Sequence, residues 1–269
     1  MHGLNLLICC LMLSLSATSE AITLIYADSA KQDQLYAQQL KSTLSATDCN
    51  CVIAVGNKGL ANALLAQNKL PIFAIRISAA SFLEKLTEHP NRAITAIYDE
   101  PDPSALIELG KAIFGKYNLA LFYSARTAHL KDLSEDVKYI QAHKSSIRHE
   151  LARLTDVDAI IVVPDSEIWN THSFRLAVRS LYRQRKALIG FNKSLVQAGA
   201  IAGLFVDDKT YNQQVNNSII NYIKTEKLSR PTYPVKYQIE LNTQIARTLN
   251  ITLPGRDELM EIINNRGRQ

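Results

Sequence analysis

From residue 22 onward the chain alternates between short apolar runs and stretches whose apolar positions recur three and four residues apart. The runs ITLIYA (22–27), CVIAVG (51–56), PIFAI (71–75) and AITAIY (93–98) read as strands, and amphipathic helices are predicted over 31–44, 58–67, 79–88 and from 104. A strand with one wet face would alternate apolar and polar side chains, so continuous runs each followed by a helix predict parallel strands covered on both faces. The pattern then begins again with LALFYS (119–124), VKYIQA (137–142), DAIIVVP (158–164), ALIGF (187–191) and AGLFV (202–206). Helices are predicted over 145–154, 167–185, from 194 and over 208–224, and a strand at 237–241 and a helix at 243–249 close the series. Two successive sets of this kind predict an α/β fold of two doubly wound parallel-sheet lobes. No Gly- or Ser-rich linker separates them, so the connections are expected to be tight hinges. The first lobe is expected to hold 22–99 and about 208–232, the second 100–207 and about 233–269.

The first crossing between lobes, YDEPDP (98–103), concentrates acid and proline. Pro101 and Pro103 each fix their own φ and restrict the residue before them, and Asp102 is placed to cap a helix that starts at Pro103. That leaves Asp99, one residue past the strand, to face a cleft. Open parallel sheets bind ligands beyond the carboxyl ends of their strands. The polar and aromatic residues at those ends are Tyr26, Asp28, Asn57, Ser78, Tyr98, Asp99, Tyr123, Ser124, Asp165, Ser166, Asn192, Ser194 and Asp207. At any single position the plainer role is to cap the next helix. Together they predict a small-molecule cleft in which carboxylates and capped helix N-termini hold polar groups and tyrosines cover the apolar part. Trp169, one helical turn past Asp165, either lines that cleft or packs beneath its helix.

Hydrophobic residues make up 47% and charged residues 20% of the 269, which excludes a disordered chain. The uncharged apolar stretch 4–15 is shorter than the roughly 20 residues a bilayer span takes. It is followed by SLSATSEA, with small residues at Ser19 and Ala21, and reads as a signal peptide cleaved after Ala21. Cys9 and Cys10 sit inside the apolar stretch, so no lipid anchor is expected. The exported chain keeps Cys49 and Cys51, which either close a small ring in an oxidising compartment or remain free thiols. The net charge of +5 is mild and scattered. Its one concentration is the four-residue repeat Arg175, Arg179, Arg183, a solvated helix face or a docking surface for an acidic partner. No aromatic residues interleave with it, so nucleic acid is not expected.

Chemistry-bearing motifs are absent. There is no phosphate-binding Gly-rich loop ending in Lys-Ser/Thr, no Gly-x-Gly-x-x-Gly after a strand, and His149–Glu150 lacks the second histidine of a zinc helix. No nucleophile–histidine pair accompanies the carboxylates, so neither enzymatic activity nor a cofactor or metal is expected.

Four segments carry a resemblance: AITAIYDEPDP (93–103), VDAIIVVPDS (157–166), ALIGFNKSLVQAGAIAGL (187–204) and YPVKYQIELNTQIARTLNITLP (233–254). The chain resembles the periplasmic substrate-binding proteins of ABC transporters with the type I fold, in the branch that includes aromatic-amino-acid binders. The resemblance implies a monomer in the periplasm that closes on a small polar or aromatic, amino-acid-like solute by hinge bending. Its partner would be an inner-membrane ABC permease; the alternative is an accessory or sensory role toward a membrane receptor or sensor kinase. It places Asp99, Ser124, Asp165, Ser166, Asn192, Ser194 and Asp207 at the cleft. The first lobe departs from the family at GNKG (56–59), where a Thr- or Ser-rich turn is usual, and at ISAAS (77–81), where an Asp-Pro is usual.

Overall fold

The computed structural model describes residues 23–27, 31–44, 49–66, 68–115 and 118–265; the predicted signal peptide and Asp28 lie outside them. The first lobe is built on four parallel strands in the order β1 (Thr23–Ala27), β2 (Cys51–Val55), β3 (Ile72–Ile77), β4 (Ile94–Tyr98). Between them run α1 (Lys31–Leu44), α2 (Gly56–Leu65) and α3 (Ala79–Glu88). The chain crosses to the second lobe through α4 (Pro103–Phe114), capped by Asp102, whose carboxylate accepts the Ser104 amide at 2.9 Å. The second sheet has the order β10-β9-β8-β7-β5-β6, and β10 alone is antiparallel. Its strands are β5 (Leu119–Tyr123), β6 (Val137–Gln141), β7 (Ala159–Ile161), β8 (Ala187–Gly190), β9 (Ala202–Phe205) and β10 (Gln238–Leu241). The α/β fold of two doubly wound lobes expected from the hydrophobic pattern is the one observed.

In the second lobe α4, α9 (Thr243–Leu249) and α10 (Arg256–Asn265) share one core with Leu119, Leu121, Ile161 and Ile189. The opposite face packs α5 (Ile147–Ala152), α6 (Thr171–Arg183) and α7 (Lys193–Gln197) on Phe122, Ile160, Val162 and Leu188. Helix α6 starts four residues later than its apolar pattern suggests. Ile168 and Trp169 instead close a turn on the Asp165 carbonyl, and Asn170 opens the helix through a reciprocal cap with Ser173. Helix α10, which buries Leu259 and Ile263, extends past the last predicted element.

Helix α8 (Asp208–Thr225) returns to the first lobe, where Tyr211, Val215 and Ile219 join Tyr36 and Leu40 of α1 over Ile53, Phe73 and Ile75. The other face of that sheet carries α2 and α3 on Val52, Ala54 and Ala74. Strands β1 to β4 step across the sheet in one direction, yet α1 and α2 lie on opposite faces. The β1-α1-β2 crossover therefore has the opposite hand to the two that follow, an arrangement found in about 2% of parallel crossovers. Cys49 and Cys51, whose pairing the sequence leaves open, are disulfide-bonded at the entry to β2, with Cα atoms 5.1 Å apart.

One irregularity sets the geometry of the first lobe. The β3–β4 register shifts between Ile75 and Ile77, and Arg76 between them takes a left-handed φ of 54°. In a regular strand residues two apart face the same way. Here Ile75 enters the α1/α8 core and Ile77 the α2/α3 core, so the bulge turns the strand end over before α3 begins. The ladder gap it leaves is filled by a side chain. The Tyr211 hydroxyl accepts the Arg76 amide at 2.8 Å and donates to the Ile97 carbonyl at 2.7 Å. The ladder resumes with the Asp99 amide on the Ile77 carbonyl at 3.0 Å.

Tyr211→Phe keeps the ring and orphans both backbone groups, which costs about 2 kcal/mol for buried polar groups left unpaired. Urea unfolding is expected to show that loss, and hydrogen exchange a selective loss of protection at the Arg76 amide. An unchanged midpoint would mean that the hydroxyl does not bridge the bulge.

Candidate functional site

A cavity of about 350 Å³ opens between the lobes at the carboxyl ends of their strands. The first lobe contributes Asn57 from the first turn of α2, and Ser78, Ala80 and Ser81 from the start of α3. The second contributes Arg126 and Thr127 after β5, Pro164, Asp165 and Ser166 after β7, Trp169, and Phe191 after β8. On that side the chain steps from β5 outward to β6 and returns to place β7 on the other side of β5. The β5/β7 junction is thus a topological switch point, where the following loops diverge and leave a crevice.

Asp165 holds the crevice open. It is 5% exposed and both its oxygens are engaged. Oδ2 accepts the Ser124 amide at 3.1 Å and the Thr127 hydroxyl, and Oδ1 accepts the Glu167 amide at 2.9 Å. Ser124 in turn caps the 3-10 turn Ala125–Leu130 through its hydroxyl, which accepts the Arg126 amide at 3.2 Å. The carboxylate so fixes the loop that carries Arg126.

Arg126 spans the cavity. Its Nη1 donates to Ser166 at 3.2 Å within its own lobe. Its Nη2 donates to Ser81 at 3.1 Å and lies 3.3 Å from the Glu84 carboxylate, both on α3 of the other lobe. The facing helix starts differ: Ser78 caps α3 by accepting the Ser81 amide at 3.2 Å, whereas no side chain caps α2. An uncapped helix start, which favours anions, thus faces a guanidinium whose charge Glu84 already balances in part. Its apolar wall is Trp169 and Phe191, with the indole stacked on Phe122 at 6.0 Å and 10°. Trp169 is 9% exposed and its indole N–H has no hydrogen-bond partner among the described residues. It does both things the sequence allowed, packing in the core and lining the cleft.

No family model matches the sequence, and no curated protein matches it. Solved structures do. The L-Trp complex of an ABC domain from Streptococcus pneumonia superimposes with a TM-score of 0.53 at 18% identity, over 81% of this chain and 79% of that one. A conserved domain protein from Vibrio cholerae gives 0.55 at 16%, over 84% and 82%. The ligand-free, open structure of a substrate-binding protein with adhesive properties from Clostridium difficile gives 0.56 at 15%, over 85% and 83%. The fold is that of the type I periplasmic binding proteins.

Within this binding-protein fold the predicted residues divide into groups. Asn57, Ser78, Asp165 and Ser166 line the interlobe cavity. Asn192, which caps α7 by accepting the Leu195 amide at 2.9 Å, and Ser194 line an adjoining cavity of about 340 Å³ that shares Trp169 and Phe191. The other predicted residues among those described do not line the cavity. Tyr98 is buried against Phe82 and Tyr233, because β4 pairs with β3 right up to it and its ring belongs to the α2/α3 core. Tyr26 packs against that same core, and Tyr123 against the α4/α10 core. Ser124 is buried under the 3-10 turn that it caps. Asp207 caps α8, accepting the Thr210 amide at 2.9 Å and its hydroxyl at 2.8 Å; these bonds hold its carboxyl below the usual range.

Asp99 does not face the cavity. The bulge at Arg76 carries a guanidinium to it, and the two pair at 2.9 Å while the other guanidinium nitrogen holds Asp208. Three polar cavity residues escaped the sequence reading: Ser81, Arg126 and Thr127 lie a turn beyond the strand ends. The signal that could have found Arg126 is Ser124 itself, since a cap after a strand points the next residues into the crevice.

Beside the cavity, the Glu100 carboxylate is 8% exposed and accepts the Ala79 amide at the start of α3, at 3.0 Å. Burial, with a contribution from the Asp99 charge, pushes its pKa up to about 7 from 4.5, although the Ala79 N–H pulls the other way. A carboxyl raised in the folded state favours folding most below its unfolded value, and that contribution is lost as pH rises from 4.5 through 7. The loss is about 3 kcal/mol by the conversion of a pKa difference to free energy. Glu100→Gln is therefore expected to flatten the pH dependence of urea stability between these limits; parallel pH profiles for the two proteins would rule out a buried neutral Glu100. Asp165→Ala removes the acceptor of two amides and a hydroxyl, and is expected to cost about 3 kcal/mol. Asp165→Asn, which keeps one acceptor, is expected to cost less in the same titration.

Proposed function

We propose that the protein is a periplasmic solute-binding protein that captures a small polar or aromatic, amino-acid-like solute between its lobes for an ABC importer. The observation that carries this reading is the interlobe cavity, whose walls come from both lobes and combine one guanidinium, several hydroxyls and an amide with an aromatic face of Trp169 and Phe191. A volume of about 350 Å³ falls at the small end of the ligand-site range and suits a solute of amino-acid size. The L-Trp complex of a structural neighbour agrees with an aromatic occupant. Arg126 and the start of α2 would take an anionic group, and the ring face of Trp169 an apolar part. No histidine lines the cavity, and Asp165 spends its oxygens on the backbone, so binding rather than turnover is the chemistry proposed.

A thermal-unfolding scan against amino acids, sugars, nucleosides and small cations tests the reading. A bound solute at a hundred times its dissociation constant adds about 2.7 kcal/mol and raises the midpoint by several degrees. Arg126→Ala is expected to weaken that solute by about tenfold to a hundredfold, the worth of a charged hydrogen bond. A solute whose affinity survives both Arg126→Ala and Asn57→Ala would remove the cavity as its site. A panel without any shift would count against solute capture.

A further inference from the structure

The outer face of the second lobe carries a larger hollow, about 740 Å³, between α5 and α6. Arg175, Arg179 and Arg183 line one wall and Arg148 the facing one, with His172 at its head and Leu176 in its floor. No carboxylate lines it, and none of the four arginines forms an ion pair among the described residues. Four like charges around one concavity repel each other and raise the potential inside it above that of a flat surface. A solvated helix face needs no fourth arginine from a second helix and no hollow.

We propose that this groove binds an extended acidic segment of a partner protein, with carboxylates at alternate positions. The spacing carries the argument. One helical turn separates successive arginines of α6, so their Cα atoms are about 6 Å apart along the axis. Alternate residues of an extended peptide are separated by about 6.6 Å, so successive carboxylates meet successive guanidinium forks, whose planar donors match a carboxylate bidentately. The residues between them point away from α6, and the apolar floor at Leu176 accepts an aliphatic stem. The groove's concave shape and the apolar Leu176 in its lining fit a peptide better than a membrane surface, against which charges would lie on a flat or convex face.

The test is fluorescence anisotropy of the full chain with a short labelled peptide alternating Glu and Thr. A Gln-for-Glu peptide, tripolyphosphate, oligothymidylate and anionic phosphatidylglycerol vesicles are measured in parallel. The expected result is binding of the Glu peptide alone, weakening with salt, and a loss of about tenfold or more in the double reversal Arg179→Glu/Arg183→Glu. Both arginines are exposed, so the variant is expected to keep the thermal midpoint of the parent. The proposal is overturned if the Glu peptide fails to bind, or binds the double reversal equally well. It is also overturned if the polyphosphate, the oligonucleotide or the vesicles bind more tightly through the same arginines.

Discussion

One guanidinium ties together two of the chain segments that cross between the lobes. Arg76 pairs with Asp99, at the end of β4 where the chain leaves the first lobe, and with Asp208, where it returns as α8. The rings of Tyr36 and Tyr211 stand 4.6 and 4.5 Å from its central carbon. Burial works against the charge, but the two carboxylates outweigh it and hold the side chain protonated. A fully exposed ion pair would contribute little; here Asp99 and Asp208 are exposed, but the guanidinium between them is largely buried, doubly paired and walled by aromatic faces, conditions under which charged hydrogen bonds and cation–π contacts are stronger. The arrangement exists only because Arg76 occupies a bulge in a left-handed conformation, which costs of order 1 kcal/mol for a residue with a side chain. The bulge also turns Ile77 into the opposite core and so aims Ser78 and α3 at the cleft. A single irregular residue thus joins the hinge to the first-lobe wall of the site.

The second-lobe wall depends on a buried carboxylate instead. Asp165 sits where the loops after β5 and β7 diverge, and it satisfies the amides of both. Without an acceptor there, the two loops would present unpaired N–H groups to a narrow crevice. With it, the 3-10 turn is fixed and Arg126 is carried outward on a rigid base. The predicted carboxylates at strand ends are real, but their oxygens serve the chain: Asp102 and Asp207 cap helices, Asp165 clamps loops, and Asp99 holds the hinge.

This division explains what could be read in advance. Continuous apolar runs such as IIVV in 158–164 report burial on both faces, and burial on both faces nearly dictates parallel strands between helices, so the two-lobed α/β class was legible. The cap of α4 was legible too, because Asp102 and Pro103 act through neighbouring backbone. Long-range partners were not. Nothing local to Arg76 announces Asp208, 132 positions away, nor does Arg126 announce Ser81. Tyr98 shows the opposite failure: its position at a strand end suggested the cleft, yet which face a terminal side chain takes depends on the register and on Tyr233 beside it. The reversed hand of the β1-α1-β2 crossover was equally hidden, since apolar runs fix burial and leave open which face a helix covers.

The polar groups around Arg126 already satisfy one another, and this bears on how a solute would couple to lobe position. Ser81 and Glu84 belong to the first lobe, Arg126 and Ser166 to the second, so the contacts around one guanidinium are also contacts between lobes. A solute that presents an anion to Arg126 must replace Glu84 as its counter-charge, and the exchange alters the attraction between α3 and the 3-10 turn. A ligand shifts a conformational equilibrium only by its differential affinity for the two arrangements. Here that difference lies in whether the anion is supplied by the facing lobe or by the solute. The two hinge crossings held at Arg76 contribute a fixed pivot for the exchange, because neither Asp99 nor Asp208 lines the cavity in which it occurs.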